Sequence, residues 1–270
     1  MALPSPAADR TCLVTGASSG IGTELARQLA GRGLGVTLVA RREDRLRALA
    51  EELHEAHGVR CEALACDLSD LDARGALPGR VDELGLAVDV LVNNAGLSTT
   101  GPVHASDPER EVAMIRTDVE AVAHLCSLFL AGMVERGTGA VLNVASTAAF
   151  QPLPGQAGYA GSKAFVLAYS QAVATELRGT GVSMTVLCPG PVKTEFAASA
   201  GFDTTEAEAS LPKIMWVAAD EVARAAVDGM AKGRKVVIPG AANRVSATAG
   251  RFTPRALLLP ILAKQHPALK

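Results

Sequence analysis

Tyr159 and Lys163 stand four residues apart at the start of a stretch with helical spacing of its apolar residues, so both side chains leave one helix face about a turn apart. An ammonium group beside a phenol favours the phenolate and lowers the phenol pKa from ~10 toward neutrality, which suits proton transfer to or from an oxygen. A Tyr-x3-Lys pair also arises by chance on helices. Ser146 strengthens this one, because it directly follows the apolar run Val141-Leu142-Asn143-Val144 and so reaches the same crevice from a strand end. A second chemical feature lies near the N-terminus, where Thr11-Cys12-Leu13-Val14 empties into Thr15-Gly16-Ala17-Ser18-Ser19-Gly20-Ile21-Gly22 and then into the amphipathic Thr23 to Arg32. Glycines bend the backbone through positive φ and let it approach a ligand, and the free N–H groups of a helix start attract an anion such as a dinucleotide pyrophosphate. A loop that merely joins strand to helix has the same composition, so the rest of the chain must decide.

The elements that would position these residues alternate along the chain. Short β-branched runs predict strands near 11–15, 35–40, 61–65, 88–93, 139–144, 182–188 and 235–238. Helical periods predict helices near 20–32, 42–57, 70–84, 108–136, 159–178 and 220–231. Strands separated by helices imply right-handed crossovers: a single-domain, Rossmann-type, doubly wound parallel sheet of about seven strands with helices on both faces. Ligands of such α/β sheets sit at the carboxyl ends of the strands.

The second strand, Gly35 to Ala40, ends at Arg41-Arg42. An acidic residue there would accept a bond from an adenosine ribose 2′-OH and repel a 2′-phosphate. Arg41 instead offers charge-assisted bonds to a 2′-phosphate, which favours NADP(H) over NAD(H). The bland alternative is that both arginines open a charged, solvated helix.

The glycine turn, spaced Gly-x3-Gly-x-Gly, resembles the cofactor loop of the short-chain dehydrogenase/reductase family. The resemblance extends through Asp67-Leu68, Asn93-Asn94-Ala95-Gly96, Ser146, Tyr159-Ala160-Gly161-Ser162-Lys163 and Pro189-Gly190 with Thr194 behind it. It covers residues 10–240. It implies that Gly16, Ser18, Ser19, Gly20, Ile21 and Gly22 receive the pyrophosphate, that Asp67 and Leu68 meet the adenine, and that Asn94, Val192 and Thr194 belong to the cofactor site. It also implies that Tyr159 protonates a carbonyl oxygen, Ser146 places that oxygen, and Lys163 holds the nicotinamide ribose hydroxyls while depressing the Tyr159 pKa. On this reading the chain is an NADP(H)-dependent oxidoreductase interconverting a carbonyl and a secondary alcohol. The alternative from another class is a catalytically weakened NADPH-binding sensor or scaffold.

One position departs from the family pattern. A helical Asn usually completes a catalytic tetrad with a water linked to the Lys, and the aligned segment Met114 to Val119 offers Asp118 instead. A carboxylate lacks the amide donor, and its charge partly offsets Lys163 at Tyr159.

The predicted lid over the substrate, 193–217, carries Phe196, Phe202, Leu211, Ile214, Met215 and Trp216. Facing it are Gly96 to Pro102 and Ala148 to Gly155, with Phe150 and Leu153. An apolar pocket follows, suited to an apolar ketone, a 3-oxoacyl thioester or a steroid-like alcohol.

With 270 residues, 49% of them hydrophobic, and a net charge of −2, the chain can bury one large core and shows no electrostatic footprint for nucleic acid. Five cysteines without CxxC spacing, and histidines 54, 57, 104, 124 and 266 without a partner pattern, suggest a reducing cytoplasmic setting and no metal site. Residues 1–9 read as a disordered lead. Residues 241–270 read as an apolar and basic helical extension, whose 251–264 stretch either touches a membrane surface or, the favoured reading, packs on protein. In relatives the helices near 108–136 and 159–178 pair across a two-fold axis, which implies a homodimer or homotetramer.

Overall fold

Seven strands form one parallel sheet: β1 (Arg10–Thr15), β2 (Val36–Ala40), β3 (Cys61–Ala65), β4 (Ala87–Asn93), β5 (Gly139–Val144), β6 (Val182–Leu187) and β7 (Val236–Val237), in the order β3-β2-β1-β4-β5-β6-β7. The computed structural model describes residues 3–196 and 211–265. The central strands β1, β2, β4, β5 and β6 are almost wholly buried, whereas the edge strands β3 and β7 are only partly so. Alternation along β1 shows this directly: Cys12 and Val14 enter one core and Leu13 the other. From β1 the chain steps outward to β2 and β3 and then crosses back to β4 on the other side of β1, so a crevice opens between the carboxyl ends of β1 and β4.

One face is covered by α1 (Gly20–Ala30), α2 (Glu43–His57) and, later in the chain, Ala219–Ala231. Leu25, Leu29, Leu46, Val222 and Val227 are fully buried there. Each such aliphatic side chain contributes about 1.5–3 kcal/mol through lost water contact. The lead into β1, read as disordered from its composition, lays Leu3 against this cluster.

The other face carries α3 (Leu71–Gly75), α4 (Leu77–Asp82), α5 (Pro108–Ile115), α6 (Ala121–Arg136) and α7 (Ala157–Glu176). The helix expected over 70–84 is two short ones. Pro78 has no N–H to continue α3, so the chain restarts at Leu77. Asp70 caps the first of them, its carboxylate accepting from the Asp72 and Ala73 amides. The stretch Pro108–Arg136 is long and apolar enough for a membrane span, yet its Leu125, Cys126 and Met133 are buried against the sheet. Arg116–Glu120, between α5 and α6, is a π turn.

Three further helices complete the described chain: α8 (Ala219–Ala231), named above on the first face, α9 (Ala241–Phe252) and α10 (Arg255–Gln265). Thr253 and Pro254 break the predicted extension into the last two. α9 packs on the 3₁₀ turn Thr147–Phe150, and its buried Asn243 donates to the Met215 carbonyl (3.0 Å). α9 thus packs beside the turn that follows β5, while Leu257 and Ile261 of α10 stay exposed. Phe202 and His266, singled out from sequence, lie outside the described residues.

Candidate active site

The glycine turn folds around three positions that tolerate no side chain. Gly16 and Gly20 have φ of +65° and +59°, the left-handed region. A Cβ on Gly16 would stand 2.8 Å from the Ala95 Cα; one on Gly22 would overlap the Gly16 carbonyl oxygen and come within 2.5 Å of Asn94 Nδ2. The turn is fastened from two sides. Thr23 Oγ1 donates to the Ala17 carbonyl (2.8 Å), and Asn94 Nδ2 donates to the Thr15 carbonyl (2.9 Å). Asn94, expected at the cofactor, thus has its amide committed to holding β1 and the turn in register. Ser19 occupies the N-cap of α1 without a side-chain cap bond, and no acidic residue lies in the first helical turn. Ser18, Ser19, Gly20 and Ile21 are all partly exposed around these amides, while Gly22 is buried. Uncapped amides at a helix start, reached by a backbone without Cβ atoms, fit a pyrophosphate.

At the end of β2 the two arginines divide. Arg42 turns to the glycine turn, its guanidinium donating to Ser18 Oγ (3.0 Å) and Ser19 Oγ (2.9 Å). Arg41 is exposed and faces Asp67 electrostatically. Burial opposes ionisation of Asp67, but two bonds from Ser69 and the charge of Arg41 hold its carboxyl below the ordinary value. Leu68 is buried, with its carbonyl accepting from Arg74 (2.6 Å). Arg74, wholly buried, also bonds His124 and Glu120 and so ties the Asp67-Leu68 turn to α6 and the π turn. Sequence reasoning missed both Arg42 and Arg74. The Arg41-Arg42 dipeptide carried a signal for the first, and nothing in a five-residue helix pointed to the second.

The reactive cluster sits past the ends of β4 and β5. Asn93 and Asn143, register partners on these strands, bond each other (2.8 Å), and Asn143 donates on to Ser170 of α7 (2.9 Å). This buried polar line fixes α7 against the sheet and with it Tyr159 and Lys163. Lys163 is buried, its ammonium donating to the Val144 carbonyl (3.2 Å) and lying 5.6 Å from the centre of the Tyr159 ring. Ser146, which caps the 3₁₀ turn through the Ala148 amide (3.1 Å), faces the phenol and favours its ionised form. The three side chains expected to act together are therefore together.

Asp118 joins them from the π turn. Asp118 lies within that turn and is fully buried. One carboxylate oxygen accepts from the Leu97 amide (2.7 Å), and the other pairs with Lys163 Nζ at 2.9 Å. Gly96 leaves room for this pair, since a Cβ there would stand 3.2 Å from both partners.

The expected depression of the Tyr159 pKa is overturned. Burial raises the phenol above its ordinary value, outweighing the Lys163 charge and the nearby Ser146 hydroxyl, and the Asp118 charge adds to the rise. Burial would lower Lys163, but the charges of Asp118 and Tyr159 hold it above its usual value. Burial raises the Asp118 carboxyl, with Lys163 opposing. The spacing revealed the ammonium; it could not reveal the desolvation.

Val192, just before the predicted lid, is partly buried against the first core. Thr194 lies over α1, where a Cβ on Gly20 would meet its methyl at 3.1 Å, and its hydroxyl accepts from the Phe196 amide (3.3 Å). Phe196 stands 5.9 Å, ring to ring, from Tyr159. Phe150, Leu153, Met215 and Trp216 are partly buried.

The family model described as short chain dehydrogenase matches residues 10–204. A short chain dehydrogenase of Pseudocercospora fijiensis is 40% identical over 70% of this chain, which spans 62% of that relative's length. A Streptomyces coelicolor protein named as a ketoacyl reductase is 41% identical over 69% of this chain and 72% of its own. The solved short-chain dehydrogenase from Sphingobium yanoikuyae in complex with NADPH is 35% identical, with a TM-score of 0.79 over 93% of this chain and 95% of its own. The seven-stranded parallel sheet agrees with these matches, and the chain belongs to the short-chain dehydrogenase family of oxidoreductases.

Proposed function

We propose that the protein is an NADP(H)-dependent oxidoreductase that interconverts a carbonyl and a secondary alcohol on an apolar substrate. The observation that carries this reading is the convergence of Ser146, Tyr159 and Lys163 beside an uncapped glycine turn that has Arg42 at its adenosine end. A bound nicotinamide supplies the hydride. Tyr159, held protonated by burial, donates its phenolic proton to the carbonyl oxygen, and Ser146 hydrogen-bonds the same oxygen and fixes its place. The Lys163 charge stabilises the phenolate left behind.

Phe150, Leu153, Phe196, Met215 and Trp216 favour a substrate with apolar flanks. The name of the Streptomyces relative makes a 3-oxoacyl thioester the first compound to try, ahead of simple ketones and steroid-like alcohols. A homodimer or homotetramer joined through α6 and α7 belongs to the same proposal, supported on α7 by Phe165, which is 38% exposed and stacks on Tyr169 at 5.5 Å.

The test is oxidation of NADPH and NADH by wild type and Tyr159→Phe over apolar ketones and 3-oxoacyl thioesters, with binding followed by NADPH fluorescence. Turnover with NADPH that vanishes in Tyr159→Phe supports the reductase. The buried Asp118 charge, which disfavours the phenolate, favours one other reading, an NADPH-binding sensor or scaffold. Tight NADPH binding with no turnover across the panel would select it.

A further inference from the structure

Glu195 stands where two guanidinium groups converge. Arg42 donates to one of its oxygens at 2.8 Å, and Arg45 donates to both, at 2.8 and 3.0 Å. Arg42 is held in that orientation from behind by the Ser18 and Ser19 hydroxyls. Both arginines lie just past the end of β2, where the adenosine ribose of a dinucleotide rests in this kind of sheet. Two convergent guanidinium groups, one oriented by hydroxyls, suit a phosphate better than the single carboxylate they now hold, because a phosphate brings more charge and a third acceptor oxygen.

The residues on either side of Glu195 reach elsewhere. Lys193 places its ammonium 5.9 Å from the centre of the Trp216 ring, and Phe196 packs 5.9 Å from the Tyr159 ring. Four consecutive residues thus link the adenosine end of the crevice, the lid tryptophan and the reactive phenol. The side chains of Arg42, Arg45 and Glu195 are 41%, 44% and 55% exposed, so an incoming anion meets a weak, solvated ion pair.

We propose that Glu195 is a built-in occupant of the seat for the adenosine 2′-phosphate, and that arrival of that phosphate displaces Glu195 and frees the stretch from Lys193 to Phe196 from its position over Tyr159. This rests on the reading that the protein takes NADP(H). Glu195 acts as a positioning residue: it couples occupation of the far end of the cofactor site to access at the phenol.

Trp216 is the single tryptophan of the chain, so its emission reports the lid without labelling. The experiment titrates the full-length protein with 2′,5′-ADP and, separately, with 5′-ADP, following affinity by calorimetry and Trp216 emission. It is repeated with Glu195→Gln. Wild type is expected to bind 2′,5′-ADP more tightly than 5′-ADP and to change its emission only with the former. Glu195→Gln should tighten 2′,5′-ADP by about fivefold, the scale of an exposed ion pair, and leave 5′-ADP unchanged. The free variant should already emit like the liganded wild type. Preference for 2′,5′-ADP that is indifferent to Glu195→Gln, or an emission change shared by 5′-ADP, overturns the displacement alone. No preference for 2′,5′-ADP in wild type or variant overturns the NADP(H) reading and the displacement with it.

Discussion

Asp118 and Lys163 form an ion pair, 2.9 Å apart, with side chains only 0% and 5% exposed. A buried carboxylate survives beside a buried ammonium because each offsets the desolvation of the other, and here the Leu97 amide adds a bond to the carboxylate. The pair has a consequence at Tyr159. The Asp118 charge opposes the Lys163 charge, so the phenol keeps its proton to higher pH than the ammonium alone would allow.

Asp118→Asn is therefore expected to lower the Tyr159 pKa, since it removes the negative charge that raises it and leaves Lys163 in place. In the oxidation direction Tyr159 must accept a proton, and activity rises with pH as the phenol ionises. The rising limb of the pH–rate profile should move to lower pH, with turnover near neutrality several-fold higher. A superimposable profile in the variant would show that the carboxylate acts only locally on its turn.

Tyr159→Phe removes the proton donor but leaves the ring against Phe196. Loss of a general acid costs typically 10²–10⁴ in turnover. NADPH affinity, followed by fluorescence, should change little because the glycine turn and Arg42 are untouched. A variant that retains most of its turnover would remove Tyr159 from the chemistry.

Gly22→Ala should damage both folding and cofactor binding. The added methyl overlaps the Gly16 carbonyl oxygen and crowds Asn94 Nδ2, which itself fastens the turn to β1. Neither neighbour is the free end of a flexible side chain, so the backbone must shift, at about 1–3 kcal/mol. Urea unfolding should show that loss. NADPH binding should weaken beyond it at urea-free temperatures where the variant is folded, and unchanged binding would mean that the turn has room to adjust.

The sheet was legible because its strands are buried on both faces and read as short apolar runs between helical periods. Observed strand ends fall within a residue or two of those expected. The helix over 70–84 was misread because periodicity outweighed Pro78, whose missing N–H splits it. The π turn was not marked in the pattern, since Arg116–Glu120 carries neither Gly nor Pro to punctuate the apolar spacing around it. At the site, Ser146, Tyr159 and Lys163 were singled out by type, spacing and family resemblance and lie together, but the sign of the Tyr159 shift depends on burial, which spacing does not contain. Likewise Arg41 and Arg42 are adjacent in sequence, and only the register of β2 with the following helix decides which one faces the glycine turn.

That division between the arginines gives the last prediction. Arg42 reaches both serine hydroxyls of the turn, whereas Arg41 is exposed on the Asp67 side, so the two should contribute unequally to a 2′-phosphate. A charge-assisted bond to a phosphate contributes about 1.5–3 kcal/mol, so Arg42→Ala should weaken NADPH binding by roughly ten- to a hundredfold. Arg41→Ala should weaken it less, through longer-range charge that added salt screens. NADH carries no 2′-phosphate, and its affinity should be nearly the same in wild type and both variants. Parallel titrations with the two cofactors at low and moderate salt separate the possibilities. Equal loss of NADH and NADPH in Arg42→Ala would mean that Arg42 only props the serines of the glycine turn. A larger NADPH loss in Arg41→Ala would return the phosphate to the arginine first expected to hold it.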